Sequence, residues 1–210
     1  MLPLHVAILF FGRSKHFEVT YASLVKSLGN VTIHVFYSCD NEPEESIQDF
    51  IKVCNPVSMI NDKIVYDVNF SKYPRLNPEI RYTNYDSMTR HFINKKRVFT
   101  LLEDHMKTTG ATYDMVVSAR LDVPINNLPS IEPAENTVYI PGGNDYCGIN
   151  DRFALGNVDS MKKYMMLYDT AIPILESKLS SPHPESLTLA NIIYTNLQVE
   201  RFPLSTEIMR

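Results

Sequence analysis

The stretch that decides the fold runs Tyr113-Asp-Met-Val-Val-Ser-Ala-Arg-Leu-Asp-Val-Pro124. Residues 115–117 are apolar and rich in β-branched side chains, which is typical of a strand covered on both faces of a sheet. Two small residues follow, and then Arg120 and Asp122 stand on either side of one residue. Alternation along a strand places those two side chains on the same face. The stretch therefore predicts a buried strand that ends in charged residues.

Two interpretations of Arg120 and Asp122 are open at this point. In an open α/β sheet, ligands bind beyond the carboxyl ends of the strands. A cation there can bind a phosphate, and a carboxylate there can hold a divalent metal. The alternative is a surface ion pair at the end of a strand, and spacing alone does not decide between the two.

Composition sets limits on the class of protein. The chain has 210 residues, 44% of them hydrophobic, which suits one α/β domain with a sizeable core. Its net charge of −4 argues against a general binder of nucleic acid or of anionic membranes. No segment reaches the roughly 18 consecutive apolar residues of a membrane span. The apolar start has neither a basic region nor a cleavage site, so we interpret it as a strand and not as a signal peptide.

The three cysteines indicate the compartment. Cys39, Cys54 and Cys147 are odd in number and lack the C-x-x-C spacing. We expect a reduced, cytoplasmic protein with neither a disulfide framework nor a zinc site. Residues 206–210 form no obvious terminal element, which allows the chain to be one domain of a longer polypeptide.

The first part of the chain predicts a strand–helix–strand unit. A strand over Leu4–Phe11, a helix over 17–28 that Gly29 ends, and a strand over Val31–Tyr37 make two parallel strands through their crossover. No G-x-G-x-x-G follows the first strand, which argues against a dinucleotide-binding dehydrogenase. That strand also lacks a terminal nucleophilic acid, which argues against a phosphohydrolase.

The remaining pattern extends the same architecture. We predict further elements from apolar periodicity and from turn residues: a helix over 43–53, short strands over 57–60 and 63–66, a proline-containing loop over 70–84, a long helix over 86–107, strands over 137–141 and 198–202, a helix over 159–175, and a last helix that begins at Pro184. Together these elements predict an α/β fold, a single domain whose mostly parallel central sheet is flanked by helices.

The long helix carries cations whose role is open. Arg90, Asn94 and Arg97 share one face by their spacing, and the apolar stripe of the helix is interrupted near Lys95. These cations could reach a diphosphate lying over the sheet. The alternative is an ordinary solvated basic face.

Two later segments hold candidate ligands. Three glycines between 142 and 148 permit close approach of a ligand to backbone, and Asp145 and Asp151 lie in or just after this segment. Either acid could instead be a turn or cap residue. His183 stands between two prolines at a helix start, where it is a metal ligand or an anion-facing cap.

The order of these motifs resembles a known family. Phe10-Phe11-Gly12-Arg13, a long helix with Ser87-Met88 and basic residues, and Tyr113-Asp114 followed by Arg120-x-Asp122 resemble the nucleotide-sugar glycosyltransferases of the GT-A fold. Asn150-Asp-Arg-Phe-Ala-Leu-Gly156 and His183-Pro-Glu-Ser-Leu187 are similar to segments of bacterial and viral polysaccharide transferases. The similarity extends to amino-terminal domains of multidomain glycosyltransferases of large algal (chlorella) viruses, which implies the cytoplasm of a host cell.

The resemblance implies a single GT-A (Rossmann-like) domain over 1–210. Residues 1–123 would bind the nucleotide sugar, and residues 124–210 would form the acceptor side and the closing helices. The implied activity is a hexosyltransferase that moves a sugar from UDP to a glycan acceptor with the help of Mn²⁺ or Mg²⁺. The donor sugar, the acceptor and the stereochemistry do not follow from the sequence.

The sequence departs from the family at the metal motif. The family pattern is Asp-x-Asp, whereas this chain has Arg120-Leu-Asp122. The resemblance implies that Asp122 and His183 hold the metal and that Arg120 offsets the diphosphate charge, with phosphate and water completing the coordination. A non-catalytic nucleotide-sugar or carbohydrate-binding module of a larger enzyme is the alternative, and the arginine in place of the first acid favours it.

The resemblance also assigns the remaining site residues. It points to Phe11, Gly12, Arg13 and Asp40 for base and ribose. For the diphosphate we expect Arg90, Lys95 and Arg97, the cations of the long helix. An acid near the anomeric carbon would deprotonate the acceptor or stabilise the sugar cation, and we expect Asp151 first and Asp145 second in this role. Arg120 with the metal would stabilise the leaving group.

Overall fold

The computed structural model describes residues 3–77 and 82–209, which form one sheet with helices on both faces. The strands are β1 (His5–Phe11), β2 (Thr32–Ser38), β3 (Ser58–Ile60), β4 (Met115–Arg120), β5 (Thr137–Pro141), β6 (Phe153–Gly156) and β7 (Gln198–Phe202). The helices are α1 (Phe17–Leu28), α2 (Glu44–Cys54), α3 (Tyr85–Thr109), α4 (Val158–Met165), α5 (Leu167–Glu176) and α6 (Pro184–Tyr194).

The seven strands follow the order β3-β2-β1-β4-β6-β5-β7. Strands β1 to β4 pair in parallel, β6 runs antiparallel to both β4 and β5, and β7 is parallel to β5. The predicted α/β fold with a mostly parallel central sheet flanked by helices is therefore confirmed.

Strand β1 shows why the sheet lies at the centre. Its residues from Val6 onward are buried, and successive side chains point to opposite faces. Ile8 and Phe10 pack into the cluster that includes α1 and α2, whereas Leu9 and Phe11 pack into the cluster that includes α3 and α4. A strand that is apolar on both faces can only be stable between two layers.

Several predicted elements differ from the structure. Residues 63–66 form no strand, because Ile64 points inward and donates its N–H to Asp40 while Val65 is 86% exposed. The single helix predicted over 159–175 is two helices, α4 and α5, which are separated at Met166. Strand β6 was not predicted. The predicted loop over 70–84 begins with a 3₁₀ turn, and its residues 78–81 lie outside the described residues.

Lys95 corrects the interpretation of the long helix. Its side chain is fully buried in line with those of Phe92 and Phe99, so the core face of α3 continues through the lysine.

No helix in the described part of the chain is both long and apolar enough to span a membrane.

Candidate active site

The carboxyl ends of β1, β2 and β4 meet at one edge of the sheet and border a cavity of about 700 Å³. We call it the donor-side cavity, after the role that the sequence predicts for its residues. Its wall contains seven residues that the sequence predicted for the site: Phe11, Gly12, Arg13, Asp40, Arg90, Arg120 and Asp122. Lys15, Glu42, Asn84 and Ser87 also line it and were not predicted. The topology thus brings together residues that are far apart in the chain, as the general rule for open α/β sheets requires.

The turn after β1 depends on Gly12. Its φ of 94° lies in the left-handed region, which glycine adopts without strain. Its N–H donates to the carbonyl of Ser38 at 3.0 Å, and its carbonyl accepts from the Tyr37 hydroxyl at 2.9 Å. These bonds fix the backbone at the entrance of the cavity and place Arg13 in its wall.

Other charged side chains in the wall of the donor-side cavity form ion pairs with one another. Arg90 forms ion pairs with Asp40 and, at 2.9 Å, with Asp86. Asp40 also accepts the N–H of Ile64. Asp40 and Arg90 are thereby held in fixed positions beside the turn that carries Arg13.

Arg120 and Asp122 form a two-point ion pair at the end of β4. The Nε and Nη2 atoms of Arg120 donate to the two carboxylate oxygens of Asp122 at 2.9 and 2.7 Å. Burial alone would lower the pKa of Arg120, but the hydrogen bonds and the charge of Asp122 raise it. Arg120 is therefore a permanent cation whose guanidinium plane is fixed.

A second cavity of about 330 Å³ adjoins the first. We call it the acceptor-side cavity, after the role that the sequence predicts for residues 124–210. Ser87, His91 and Arg120 line both. The acceptor-side cavity is further bordered by Tyr82, Met88, Tyr146, Asp151, His183, Pro184 and Glu185. Arg120 and His91 thus stand where the two cavities meet.

Asp151 is the most deeply buried carboxylate of this second cavity, with 5% of its side chain exposed. His91 Nε2 lies 3.2 Å from Asp151 Oδ2, although the two atoms are not aligned as a hydrogen bond. Burial would raise the pKa of Asp151, but His91 and the positive charges of Lys95 and Arg120 lower it below its usual value. Asp151 is therefore a carboxylate at neutral pH.

The imidazole beside it behaves differently. Burial lowers the pKa of His91, and the charges of Lys95 and Arg120 add to this effect, while Asp151 opposes it. His91 is accordingly neutral at pH 7.

Glu185 is a site residue that the sequence prediction missed. It lies at the start of α6 with 13% of its side chain exposed, and its Oε2 is 3.4 Å from His183 Nδ1. Burial and the negative charge of Asp151 raise the pKa of Glu185 to about 7. Two carboxyl groups with well-separated pKa values therefore share the acceptor-side cavity. The sequence signal was only its place in the His183–Leu187 motif, since burial beside Asp151 is a tertiary feature.

Some predicted site residues lie elsewhere. Asp145 accepts from Arg201 Nη2 at 2.7 Å and from the N–H of Asn150 at 3.0 Å, so it supports the loop and lines neither cavity. Arg97 Nη1 donates to the carbonyl of Asp62 at 3.1 Å, also outside both cavities. Lys95 is buried beneath the site and lines neither.

The predicted metal ligands line different cavities: Asp122 the donor-side one and His183 the acceptor-side one. In residues 3–77 and 82–209, no cluster of three or more His, Cys, Asp or Glu side chains is arranged to hold a metal ion. A carboxylate has about four lone-pair sites, and Arg120 uses two of those on Asp122. Asp122 therefore fits as a single protein ligand to Mg²⁺ or Mn²⁺, provided that phosphate and water supply the others.

Comparison with known proteins gives little further information. No protein-family model matches the chain, and no curated protein matches it. Among solved structures, it is similar to a protein from Desulfovibrio desulfuricans G20 that is provisionally assigned as a nucleotide-diphospho-sugar transferase. The TM-score is 0.47 at 12% identity, over 94% of this chain and 79% of the other. Similarity at this level assigns neither a family nor an activity, and it does not bear on the expected relationship to chlorella-virus enzymes.

Proposed function

We propose that the protein is a glycosyltransferase that moves a sugar from a nucleoside diphosphate, with UDP as the expected nucleotide, to a glycan acceptor. The observation that supports this most is the position of Arg120. The guanidinium stands in the wall of both cavities, with turn and cationic residues on one side and the ionised Asp151 on the other.

The donor-side cavity fits a nucleoside diphosphate. Its volume of about 700 Å³ is ample for a nucleotide. Arg13, Lys15 and Arg120 bring positive charge to its wall, which suits the negative charge that a diphosphate gains as it leaves the sugar. The resemblance assigns base and ribose to Asp40 and the turn at Gly12, and these residues line the same cavity.

We assign the acceptor-side cavity to the second substrate. In the proposed reaction, the bond from the anomeric carbon to the diphosphate oxygen breaks, and its electron pair leaves with the diphosphate. The acceptor oxygen bonds to the anomeric carbon and loses its proton. In this proposal Asp151 stabilises the positive charge on the sugar or accepts that proton, which its burial as a carboxylate in this cavity supports.

The proposal includes a divalent cation in the donor-side cavity. Asp122 would hold Mn²⁺ or Mg²⁺ together with the donor phosphates, and the metal when bound would neutralise diphosphate charge. Residues up to 123 then serve the donor and residues from 124 mainly serve the acceptor, although Tyr82 and His91 of the first part also line the acceptor-side cavity.

A non-catalytic nucleotide-sugar or carbohydrate-binding module is the second candidate. The engagement of both Asp122 oxygens by Arg120 favours it, because that ion pair leaves the carboxylate less available to a metal. Such a module would bind the nucleotide and leave the sugar attached.

The deciding experiment is a calorimetric titration of UDP into metal-free protein and then into protein with saturating Mn²⁺, followed by an assay for release of UDP from UDP-sugars. A transferase with a metal on Asp122 binds UDP more tightly with Mn²⁺, loses that gain in Asp122→Ala, and releases UDP in the presence of acceptor. Tight binding without any turnover would instead identify the binding module. Failure to bind UDP with and without Mn²⁺ would overturn the proposed donor.

A further inference from the structure

Lys95, in the middle of α3, has a side chain that is fully buried. Its Nζ has no hydrogen-bond partner among residues 3–77 and 82–209. The atom lies 3.9 Å from the centroid of the Tyr164 ring and 6.0 Å from that of Phe11. The aromatic faces provide some cation–π stabilisation to an ammonium group that has lost its water.

Burying a lysine in this way is costly unless something compensates for the charge. Burial lowers the pKa of Lys95 to about 8, and the negative charge of Asp151 opposes that effect. The lysine therefore still carries its charge at neutral pH. An apolar side chain of similar length would fill the same space without this cost, so packing does not explain the lysine.

Lys95 belongs to the face of α3 that turns toward Asp151. His91 and Lys95 are four residues apart, so their side chains share one face of α3, and His91 Nε2 is 3.2 Å from Asp151. Lys95 and Asp151 each change the pKa of the other in the direction expected for opposite charges. Asp151 thus contacts His91 of α3, and the positive charges of Lys95 and Arg120 lower its pKa.

Other titratable groups also surround Asp151. They interact with it electrostatically without making a hydrogen bond to it in the described structure, and they are Tyr82 before α3, Tyr164 on α4, His183 before α6 and Glu185 on α6. Of the surrounding positive charges, Arg120 is already paired with Asp122, whereas Lys95 has no hydrogen-bonding partner in the described residues.

We propose that Lys95 is a positioning residue, a buried counter-charge on the face of α3 that also carries His91, and that it stabilises the carboxylate of Asp151 at the wall of the acceptor-side cavity. It is not a ligand of the donor phosphates, since it reaches neither cavity. This inference rests on the proposed function where it concerns catalysis, but the electrostatic relationship between the two side chains can be measured without any substrate.

The sign of the effect is unambiguous. Removing the positive charge of Lys95 raises the pKa of Asp151, and it also raises the pKa of His91, which Lys95 at present lowers. Both groups then take up protons at a higher pH than before. Activity that needs the Asp151 carboxylate, or the neutral imidazole of His91, is therefore lost at a higher pH on the acid side.

The test compares Lys95→Met with Lys96→Met. Methionine keeps the length and apolar character of the lysine, and Lys96 is a partly exposed neighbour that pairs with Asp169. In the Lys95 variant we expect the acid limb of the kcat profile to move up by about one pH unit where protonation of His91 sets that limb, because a nearby charge has an effect of this size on an ionisable group. The Kd for UDP stays unchanged, and the Lys96 variant keeps the profile of the natural protein.

A substrate-free measurement separates this inference from the proposed function. Carbon NMR of the Asp151 carboxyl, assigned with Asp151→Asn, gives its pKa directly in the natural protein and in Lys95→Met. A raised pKa supports the counter-charge even if no transferase activity is found. An unchanged pKa of Asp151 overturns the inference. If that variant also loses UDP affinity, Lys95 is a donor ligand instead. Should Lys95→Met fail to fold, Lys95→Gln provides the same comparison with a polar side chain.

Discussion

The guanidinium of Arg120 is held by both carboxylate oxygens of Asp122, at 2.9 and 2.7 Å. A cation and an acid that the sequence suggested for separate tasks are thus bound to one another. Two of the five N–H donors of the arginine are used in this pair, and the others remain available to ligands. Asp122 therefore fixes the orientation of the Arg120 cation where the two cavities meet.

Arg120→Met should weaken the binding of UDP by about tenfold or more, which corresponds to about 1.4 kcal/mol. The substitution removes the one permanent positive charge that, among the described residues, lines both cavities. Calorimetry on the variant provides the measurement. Arg97→Met is the matched control, because that arginine lies on α3 outside both cavities, and unchanged binding is expected. Equal losses in the two variants would contradict a specific role for Arg120.

Asp151→Asn should reduce kcat about 100-fold or more while leaving the Kd for UDP nearly unchanged, because the carboxylate faces the acceptor-side cavity. Steady-state kinetics with a UDP-sugar and calorimetry with UDP separate the two effects. Asp145→Asn is the comparison, since that carboxylate pairs with Arg201 and lines neither cavity. We expect its kcat to stay within a few-fold, and a loss as large as that of Asp151→Asn would show that the acids have been assigned wrongly.

Glu185→Gln should make stability less dependent on pH. The pKa of Glu185 is about 7 in the folded protein against an ordinary value of 4.5, so the folded state binds a proton more tightly than the unfolded state. Its contribution to the free energy of unfolding is greatest below pH 4.5 and declines as the pH rises toward 7. At pH 8 we expect the variant to be more stable than the natural protein by about 1 to 3 kcal/mol.

Urea unfolding at pH 4 and at pH 8 tests this expectation for Glu185. At pH 4 the two proteins should differ little, because the natural side chain is then protonated in both states. The same difference in stability at both pH values would show that the pKa of Glu185 is not raised by folding.

Gly148→Ala should lower the free energy of unfolding by about 1 to 3 kcal/mol. A Cβ atom at this position would lie 2.1 Å from the backbone of Glu185, so the loop and the start of α6 must move apart. Gly142→Ala is a fair control, since its Cβ would meet nothing closer than a carbonyl oxygen at 3.8 Å, and a change within about 0.5 kcal/mol is expected. Urea unfolding of both variants, with kcat as a second readout, gives the comparison.

The fold could be predicted because local patterns agree with the tertiary structure. The apolar run after Asp114 is a central strand, and Thr137–Pro141 and Gln198–Phe202 are strands with the predicted bounds. Strand β6 escaped prediction because four apolar residues are too few to show a period. The break at Met166 also leaves the apolar period of the two helices intact, so periodicity alone could not reveal it.

The site was predictable only in part. Strand ends at one edge of a sheet converge for topological reasons, which explains why Phe11, Asp40 and Arg120 share a cavity. Burial of Lys95 and the proximity of Glu185 to Asp151 depend on how α3 and α6 pack, and a charged residue in a sequence gives no sign of its burial. In the sequence, a buried lysine cannot be distinguished from an exposed one.

The N–H of Arg120 donates to the carbonyl of Arg152 at 3.0 Å, across the antiparallel pair formed by β4 and β6. The distance between the cation and Asp151 is accordingly set by a backbone ladder, whereas Tyr82 and Tyr146 reach the acceptor-side cavity from irregular segments. Substitutions of those two tyrosines should therefore change the shape of the acceptor-side cavity, while the backbone ladder keeps Arg120 and Asp151 at their present separation.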